Sequence, residues 1–337
     1  MQIQEDFSLR QLNTFGLDQC ARFFSEVYST EDLTEVLRWC DERAIPVWVL
    51  GGGSNVLLTS DLEGMVIKIG IKGREVVEET EDHVLVRVGA GENWHEFVMF
   101  AVAKGWGGVE NLSLIPGTVG AAPIQNIGAY GVEVKDVFHS LEAIDKKTTS
   151  LVFFDSKGCA FGYRDSYFKG QGKNRYVICY VTFKLSKSPV YNLTYGNVED
   201  MLHELGYVEP SLTAVSETIS FIRRQKLPDP SRIGNAGSFF KNPVVSLAQY
   251  QSLKDNHPTL QGFPTKDGMK IAAAWLIEHC GWKGKRWGTV GVHDRQPLVL
   301  VNYGQGRGQD IVNLSQAIAK AVMEKFGVPL EVEVNFW

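Results

Sequence analysis

Ile115-Pro-Gly-Thr-Val-Gly-Ala-Ala-Pro-Ile-Gln-Asn-Ile-Gly-Ala-Tyr-Gly131 is the stretch that decides how this chain folds. Small Gly and Ala residues are spread among Pro116, Pro123, Gln125, Asn126 and Tyr130. Neither the helical nor the strand period of apolar residues holds there. The irregular stretch begins at Asn111, too long for a simple connection. A loop of this length in a compact domain is expected to be ordered and functional.

A second glycine-rich segment lies upstream. Val47-Trp-Val-Leu50 reads as a strand and runs into Gly51-Gly52-Gly53-Ser54-Asn55. Backbone N–H groups without Cβ obstruction suit a pyrophosphate. A tight turn between strands is the plainer reading, but three consecutive glycines lose much chain entropy on ordering. A GxGxxG fingerprint would need Gly where Val56 stands, and no GxxxxGK[ST] occurs. An ordinary Rossmann or P-loop site is therefore excluded, and two separate glycine-rich segments point to a large phosphate-bearing cofactor.

Around these loops, helices and strands alternate. A helix starts at Ser29-Thr30-Glu31 with Leu33, Val36, Leu37 and Cys40 on one face, and a second starts near Asn93 and stops at Gly105. Strands are expected at Val56-Leu-Leu, Met65–Ile69, His83–Val88, Leu141–Ile144 and Tyr176–Leu185. Further on, helices are expected at Val215–Gln225, Met269–Cys280 and around Ile311–Val322, and strands at Pro297–Asn302 and Leu330–Phe336.

The bulk numbers set the frame. The chain has 337 residues, enough for two or three domains, with 44% hydrophobic and 22% charged residues and a net charge of −5. That balance carries no basic footprint for nucleic acid. No apolar run is long enough to span a membrane, and the N-terminus does not read as a signal peptide. Five widely spaced cysteines without a CxxC read as buried free thiols of a reducing, cytoplasmic compartment, and the seven histidines show no metal-ligand spacing.

The two glycine-rich segments also carry a resemblance. Gly53-Ser54-Asn55 after a strand resembles the first diphosphate loop of the vanillyl-alcohol-oxidase (PCMH) type of FAD-binding fold, and Ile115–Gly131 resembles the second flavin-binding segment of the UDP-N-acetylenolpyruvoylglucosamine reductases. Asn13-Thr-Phe-Gly16, Phe161-Gly-Tyr-Arg-Asp-Ser166, Lys226-Leu-Pro-Asp-Pro230, Gly234-Asn-Ala-Gly-Ser-Phe-Phe-Lys-Asn-Pro243 and Leu330-Glu-Val-Glu-Val334 extend it in the family's order. It implies an α+β chain: FAD-binding subdomains over 1–70 and 71–215, an α+β substrate-binding domain over 216–325, and a C-terminal strand over 326–337 returning to the active site. It further implies FAD as cofactor and NADPH as co-substrate. The substrate would be UDP-N-acetylglucosamine enolpyruvate, reduced to UDP-N-acetylmuramate for peptidoglycan by a cytoplasmic monomer that uses no metal.

The resemblance also assigns residues. FAD contacts fall on Gly51, Gly52, Gly53, Ser54, Asn55, Val56, Ile115, Pro116, Gly117, Gly120, Ala121, Ile124, Gln125, Asn126, Gly128 and Ala129. Arg164 matches the catalytic arginine, and a guanidinium fork suits a carboxylate; its plainer reading is a surface pair with Asp165. Ser238 matches the proton donor, although a Ser in a Gly-rich turn usually bonds backbone. Glu333 is taken over Glu331, both being placed on one face of an alternating strand whose plain reading is a solvated edge. Tyr130, Arg223, Lys226, Asn242 and Gln296 are the expected substrate contacts. Tyr195 in Leu193-Thr-Tyr-Gly196 resembles the tyrosine of the mobile loop in type I members.

Two departures and two rivals stand beside this reading. Ala121-Ala122 replaces a Ser- or Gly-containing pair, with one or two hydrogen bonds to FAD expected to be lost, and Trp337 stands where members continue past a Gly, with a looser terminal strand expected. The rivals are an alcohol oxidase of the same FAD fold and a flavin- or nucleotide-binding module without catalysis.

Overall fold

The structure is a computed structural model and describes residues 2–337. The chain forms two compact units, and both draw on distant segments. The first holds Met1–Phe7, Cys20–Gly53 and Leu62–Gln225; the second holds Ser8–Gln19, Ser54–Asp61 and Lys226–Trp337. The expected boundary at 215/216 falls inside one helix, Leu212–Lys226, and the division lies instead at its end.

In the first unit, Cys20–Val27, Leu62–Ile69 and Val47–Leu50 pair in parallel in a four-stranded sheet, with Gln4–Ser8 at its edge. Leu62–Ile69 is central and nearly all buried, as a parallel strand covered on both faces must be. Helix Thr30–Asp41 packs Leu33, Val36, Leu37 and Cys40 into this core, and the Ser29 side chain accepts from the Asp32 N–H to cap its start.

An antiparallel sheet runs Leu151–Asp155, Phe138–Asp145, Tyr176–Ser186, His83–Gly89, Arg74–Glu79. Helix Trp94–Ala103, capped by the Asn93 side chain, buries Trp94, Phe97, Val98 and Ala101. Trp94 and Phe97 pack on Phe183 of the longest strand of that sheet. Side chains of this size each contribute roughly 1.5–3 kcal/mol on burial. The Trp94 indole N–H also donates to the Leu112 carbonyl at 2.9 Å, which ties the helix to the start of the long loop.

In the second unit, Gly234–Ser238, Val299–Asn302, Val290–Val292 and Arg286–Trp287 form an antiparallel sheet in that order. Helix Gly308–Phe326 buries Ile311, Leu314, Ile318 and Val322 and ends at Gly327 with φ +64°. The Asn13-Thr-Phe-Gly16 block belongs here. The Asn13 amide donates to the Leu9 and Leu17 carbonyls at 2.8 and 2.9 Å, and the Thr14 carbonyl accepts from the Asn235 N–H at 3.0 Å. A Cβ on Gly234 would collide with the Phe15 carbonyl, so this junction requires glycine.

Two expected elements differ. Met269–Cys280 is not one helix: Gly268–Ile271 is a strand paired with Val244–Val245 and Gly262–Thr265, and the helix is only Ala273–His279. Leu330–Phe336 is not one strand either. Val332 bridges Phe240, the chain bends at Val334, and only Asn335–Phe336 pairs with Val56–Leu57, in parallel. The α+β class and the mixed architecture agree with expectation.

Cys40, Cys159 and Cys179 are buried free thiols, but Cys20 and Cys280 are only half-buried. Among the described residues, no helix is long and apolar enough to cross a membrane, and no cluster of His, Cys, Asp and Glu could hold a metal.

Candidate active site

In the first unit, the two glycine-rich loops meet. A Cβ on Gly52 would stand 2.8 Å from the Gly117 Cα, and one on Gly51 would stand 2.6 Å from the Thr118 Oγ1. Gly53 and Gly117 have φ of +63° and +116°, which a side chain resists. Thr118 bridges Asn93, the Val119 and Gly120 N–H groups donate to the Glu92 and Ala90 carbonyls, and so the second loop is strapped along the segment that leads into helix Trp94–Ala103. The result is a backbone-lined cradle with no Cβ at the contact. A diphosphate approached by main-chain N–H groups requires such a surface, so Gly51, Gly52, Gly53 and Gly117 are compatible with one, whereas the Gly120 N–H is already committed to the Ala90 carbonyl.

Further along, Gly128 and Ala129 pair with Glu133 and Val132 in a small hairpin. Asn126 is wholly buried at φ +44°, and its side chain is committed to the protein. Its amide donates to the Gly162 carbonyl at 3.0 Å and Glu133 Oε2 at 3.1 Å, and its Oδ1 accepts from the Lys135 N–H at 3.0 Å. Any cofactor contact at Asn126 thus falls to its backbone. The Ile124 carbonyl likewise accepts from the Ser166 hydroxyl at 2.6 Å. The Ile115–Gly131 segment and the Phe161–Ser166 turn are therefore one hydrogen-bonded body. Ala121 and Ala122 sit in a short 3-10 turn and are held through the Thr118 and Val119 carbonyls.

That body positions Arg164. The Gly162 and Asp165 backbones exchange hydrogen bonds around the turn, and Arg164 at its tip takes φ +52°. A non-glycine residue there costs about 1–3 kcal/mol and persists only where its surroundings hold it. The guanidinium donates to the Gly128 carbonyl at 2.8 Å, while the Asp165 carboxylate accepts from the Ser166 N–H at 2.9 Å.

Arg223, Tyr130 and Tyr195 stand in the same unit. Burial pulls the Arg223 guanidinium below its usual pKa; Tyr130 opposes this and Arg164 adds repulsion. It remains a cation, desolvated and facing a second cation, which is an arrangement that favours an anionic ligand. Tyr130 is itself held at φ +48°, with its pKa raised by burial, and its ring meets the edge of Tyr195 at 6.5 Å. Asn111 donates to the Tyr130 and Asn192 carbonyls at 2.9 and 2.7 Å, which ties the Tyr195 segment to the loop. Tyr195 lies at a bend shortly before helix Val198–Glu204.

The second unit brings Ser238 and Glu333 together. The ladder of Gly234–Ser238 with Val299–Asn302 is interrupted between Asn235 and Ser238. Gly237 takes φ +70° at this bulge, and its N–H donates to Asn235 Oδ1 at 2.9 Å. The bulge re-aims the end of the strand, a common device beside functional sites. Immediately after Ser238, the Phe239 carbonyl accepts from the Glu333 N–H at 2.8 Å, and the Glu333 carbonyl accepts from the Asn55 amide at 3.4 Å.

Glu331, two residues earlier, is paired with Lys241 and exposed, whereas Glu333 is half-buried. The terminal strand is not loose. The Trp337 carbonyl accepts from the Thr59 N–H and hydroxyl at 2.7 and 2.6 Å, and the Trp337 N–H donates to Leu57 at 2.9 Å. This also fixes Asn55 and Val56, since the Asn335 N–H donates to the Asn55 carbonyl at 3.1 Å.

The remaining expected contacts in this unit are partly spent. Asn242 Oδ1 accepts from the Ala273 N–H at 3.0 Å and Gln296 Oε1 from the Leu298 N–H at 3.4 Å, so both side-chain oxygens are engaged within the protein. Lys226 is exposed at its helix end. The sequence reading missed the residues that hold the site: Asn111, Glu133 and His95, whose Nδ1 accepts from the Leu114 N–H at 3.0 Å. No local pattern marks them: Asn111 and His95 act on segments 19 or more residues away, and Glu133 acts back across the hairpin on Asn126.

Known proteins match this arrangement along the whole chain. Residues 21–153 match the model of an FAD binding domain, and residues 229–337 that of the UDP-N-acetylenolpyruvoylglucosamine reductase C-terminal domain. The UDP-N-acetylenolpyruvoylglucosamine reductases of Pseudomonas savastanoi pv. phaseolicola and Pseudomonas aeruginosa are 50% and 48% identical, each match covering 100% of this chain and 99% of the relative. That of Amoebophilus asiaticus is 47% identical over 99% of both chains.

Among solved structures, UDP-N-acetylenolpyruvylglucosamine reductase from Thermus caldophilus superposes with a TM-score of 0.71 at 23% identity, over 100% of this chain and 99% of that one. 6-Hydroxy-D-nicotine oxidase from Arthrobacter nicotinovorans shares the fold at a TM-score of 0.52 and 12% identity, over 97% and 86% of the two chains. A full-length identity near one half, with a reductase C-terminal domain in place, goes beyond the shared oxidase fold: the chain belongs to the UDP-N-acetylenolpyruvoylglucosamine reductase family.

Proposed function

We propose that the chain reduces UDP-N-acetylglucosamine enolpyruvate to UDP-N-acetylmuramate with NADPH, using Arg164, Ser238 and Glu333, as a cytoplasmic monomer in peptidoglycan synthesis. The observation that carries the residue assignment is the Phe239–Glu333 hydrogen bond at 2.8 Å, which holds the backbone of Glu333 against the residue that follows Ser238.

FAD, when bound, supplies hydride to the β-carbon of the enolpyruvyl group. Its diphosphate would be held by the Gly51–Gly53 and Gly117 backbones with Ser54, Asn55 and Val56, and Ala121, Ile124, Gln125, Gly128 and Ala129 would complete the bed. Every further requirement falls on side chains. Negative charge develops at the α-carbon and spreads into the carboxylate. Arg164, fixed by Gly128, is a permanent cation suited to that carboxylate. Ser238 delivers the proton to the α-carbon through its hydroxyl. A serine is a weak acid, so the carboxyl of Glu333 is assigned to orient that hydroxyl and the relay that replenishes its proton. Arg223 and Lys226 receive the nucleotide diphosphate, and Tyr130, Asn242 and Gln296 add polar contacts. Tyr195 covers the nucleotide as a type I tyrosine.

The test separates the half-reactions. Ser238→Ala is expected to leave anaerobic flavin reduction by NADPH within about twofold of wild type. It should slow reoxidation by the enolpyruvyl substrate by roughly 10²–10⁴-fold. Loss of both half-reactions together would make Ser238 structural. Failure of the substrate to reoxidise the wild-type flavin would favour the oxidase rival.

A further inference from the structure

We propose that His95 is a positioning residue for the substrate's anion site: its neutral imidazole fixes the Leu114 backbone through the N–H of that residue, and the carbonyl of the same residue fixes Arg223. The inference rests on the reading that Arg223 holds an anionic part of the substrate.

The two halves of one peptide-flanked residue carry the linkage. The Leu114 N–H donates to His95 Nδ1 at 3.0 Å, and the Leu114 carbonyl accepts from Arg223 Nε at 3.3 Å. Leu114 takes φ +57°, a conformation a branched side chain does not adopt unaided. It lies directly before Ile115, at the head of the flavin loop. Holding Nε leaves the two terminal nitrogens of the Arg223 fork to meet a ligand and removes one rotational freedom of the guanidinium. His95 is the member of helix Trp94–Ala103 that reaches across to this peptide.

The ring is half-buried and accessible to protons. It lines a cavity of about 450 Å³ together with Met99, Tyr207, Ser216, Glu217 and Arg224. The titratable groups around it are Glu96 on its own helix, Arg223 and Arg224 on helix Leu212–Lys226, and Tyr207 and Glu217 across the cavity. Burial, then Arg224 and Arg223, lower the His95 pKa from 6.5, and Glu96 opposes them.

The ring is therefore neutral at neutral pH, as the accepting Nδ1 requires. A proton on Nδ1 would turn the acceptor into a donor facing the Leu114 N–H and place a third cation beside two arginines. Because the folded pKa is lowered, the linkage holds down to somewhat below the ordinary histidine midpoint and fails as pH falls further. The diphosphate and carboxylate of the substrate keep their charges through that range.

The test is the Kd of the enolpyruvyl nucleotide sugar for the FAD-loaded protein, measured by calorimetry between about pH 8 and pH 5.5. Wild type is expected to weaken about 5–10-fold over that interval, the equivalent of one lost hydrogen bond. His95→Asn offers an acceptor oxygen in place of Nδ1 and does not titrate. It should bind within about twofold of wild type at the alkaline end and stay flat. His95→Leu should bind about 5–10-fold more weakly at every pH. In an Arg223→Met background, the His95→Leu change should have no further effect, since a route through Arg223 is then already cut.

Melting temperatures establish that each variant is folded. Should His95→Leu fail to fold, the slope of His95→Asn still decides. A wild-type pH slope in His95→Asn, or full additivity with Arg223→Met, would overturn the inference. Unchanged affinity in Arg223→Met alone would overturn the underlying reading of Arg223 instead, whatever the His95 variants do.

Discussion

Gly52→Ala puts the cofactor cradle to a direct test. The added methyl would stand 2.8 Å from the Gly117 Cα and 3.2 Å from its carbonyl carbon. Both are backbone atoms, so no side-chain rotation relieves the clash. The Gly117 segment cannot retreat freely, because the Gly117 carbonyl accepts from the Trp94 N–H at 3.1 Å and the next residues are bonded to Glu92 and Ala90. Overpacking of this kind costs about 1–3 kcal/mol. If the two loops part to accommodate the methyl, the diphosphate bed is lost and FAD affinity falls by about 5- to 150-fold, at 1.4 kcal/mol per tenfold. If they stay together, the same cost appears as lost stability of the apoprotein. Flavin fluorescence titration and apoprotein melting read the two shares separately. Gly170→Ala is the control: its Cβ would meet nothing closer than 3.9 Å, and less than about 0.5 kcal/mol is expected by either measure. A Gly52→Ala protein with wild-type FAD affinity and wild-type apoprotein stability would refute the contact between the loops.

Three further outcomes are expected. Asn126→Leu leaves the Lys135 N–H without the Asn126 Oδ1 and removes one of the two donors to the Gly162 carbonyl, the Asp165 N–H remaining; it should lower stability by about 1–3 kcal/mol in urea denaturation and reduce kcat through Arg164, whereas a purely local effect would leave kcat of the folded fraction intact. Glu333→Gln should depress substrate-driven flavin reoxidation by about tenfold or more, while Glu331→Gln, which breaks only an exposed pair with Lys241, should stay within about twofold; equal effects would dissolve the distinction between the two carboxylates. Burial works against ionising Glu92, but the Gly73 N–H at 2.9 Å and Arg74 at 2.8 Å outweigh it and hold its pKa below the ordinary 4.5. Its contribution is thus present above that value and lost as pH falls through the lower folded pKa. Glu92→Gln should therefore be less stable at pH 7 and flatten the acid limb of the stability profile, and an unchanged limb would count against the pairing.

Helix starts were legible in the sequence because the cap is local: Ser29 and Asn93 each stand three residues before the N–H they accept from. The long loop was legible because so many small residues among prolines fit no period. Met269–Cys280 misled because Met269, Ala273, Leu276 and Ile277 imitate a helical face, while the strand partners of Gly268–Ile271 lie elsewhere in the chain. The alternation of Leu330–Phe336 misled for a related reason. Its pairing is shared between Phe239–Lys241 and Val56–Leu57, and the chain must bend between them. Arg164 and Ser238 were assigned by resemblance, and what aims them was not readable. A φ of +52° and a bulge set by the Asn235 side chain have no signature beyond small neighbours.

The pinning of Asn335–Trp337 onto Val56–Thr59 has a consequence for how the protein is made. Residues 20–53 and 62–225 can collapse while the ribosome is still translating the remainder, and the glycine contact between 52 and 117 lies wholly within them. Asn55, by contrast, gains its carbonyl partner only when Asn335 emerges, and Glu333 gains its partner from a segment that has waited since Phe239. A nascent chain stalled short of 330 would already hold Gly52 against Gly117. The contacts of Phe239 with Glu333 and of Asn55 with Asn335 would remain unmade until residues 333–337 leave the exit tunnel.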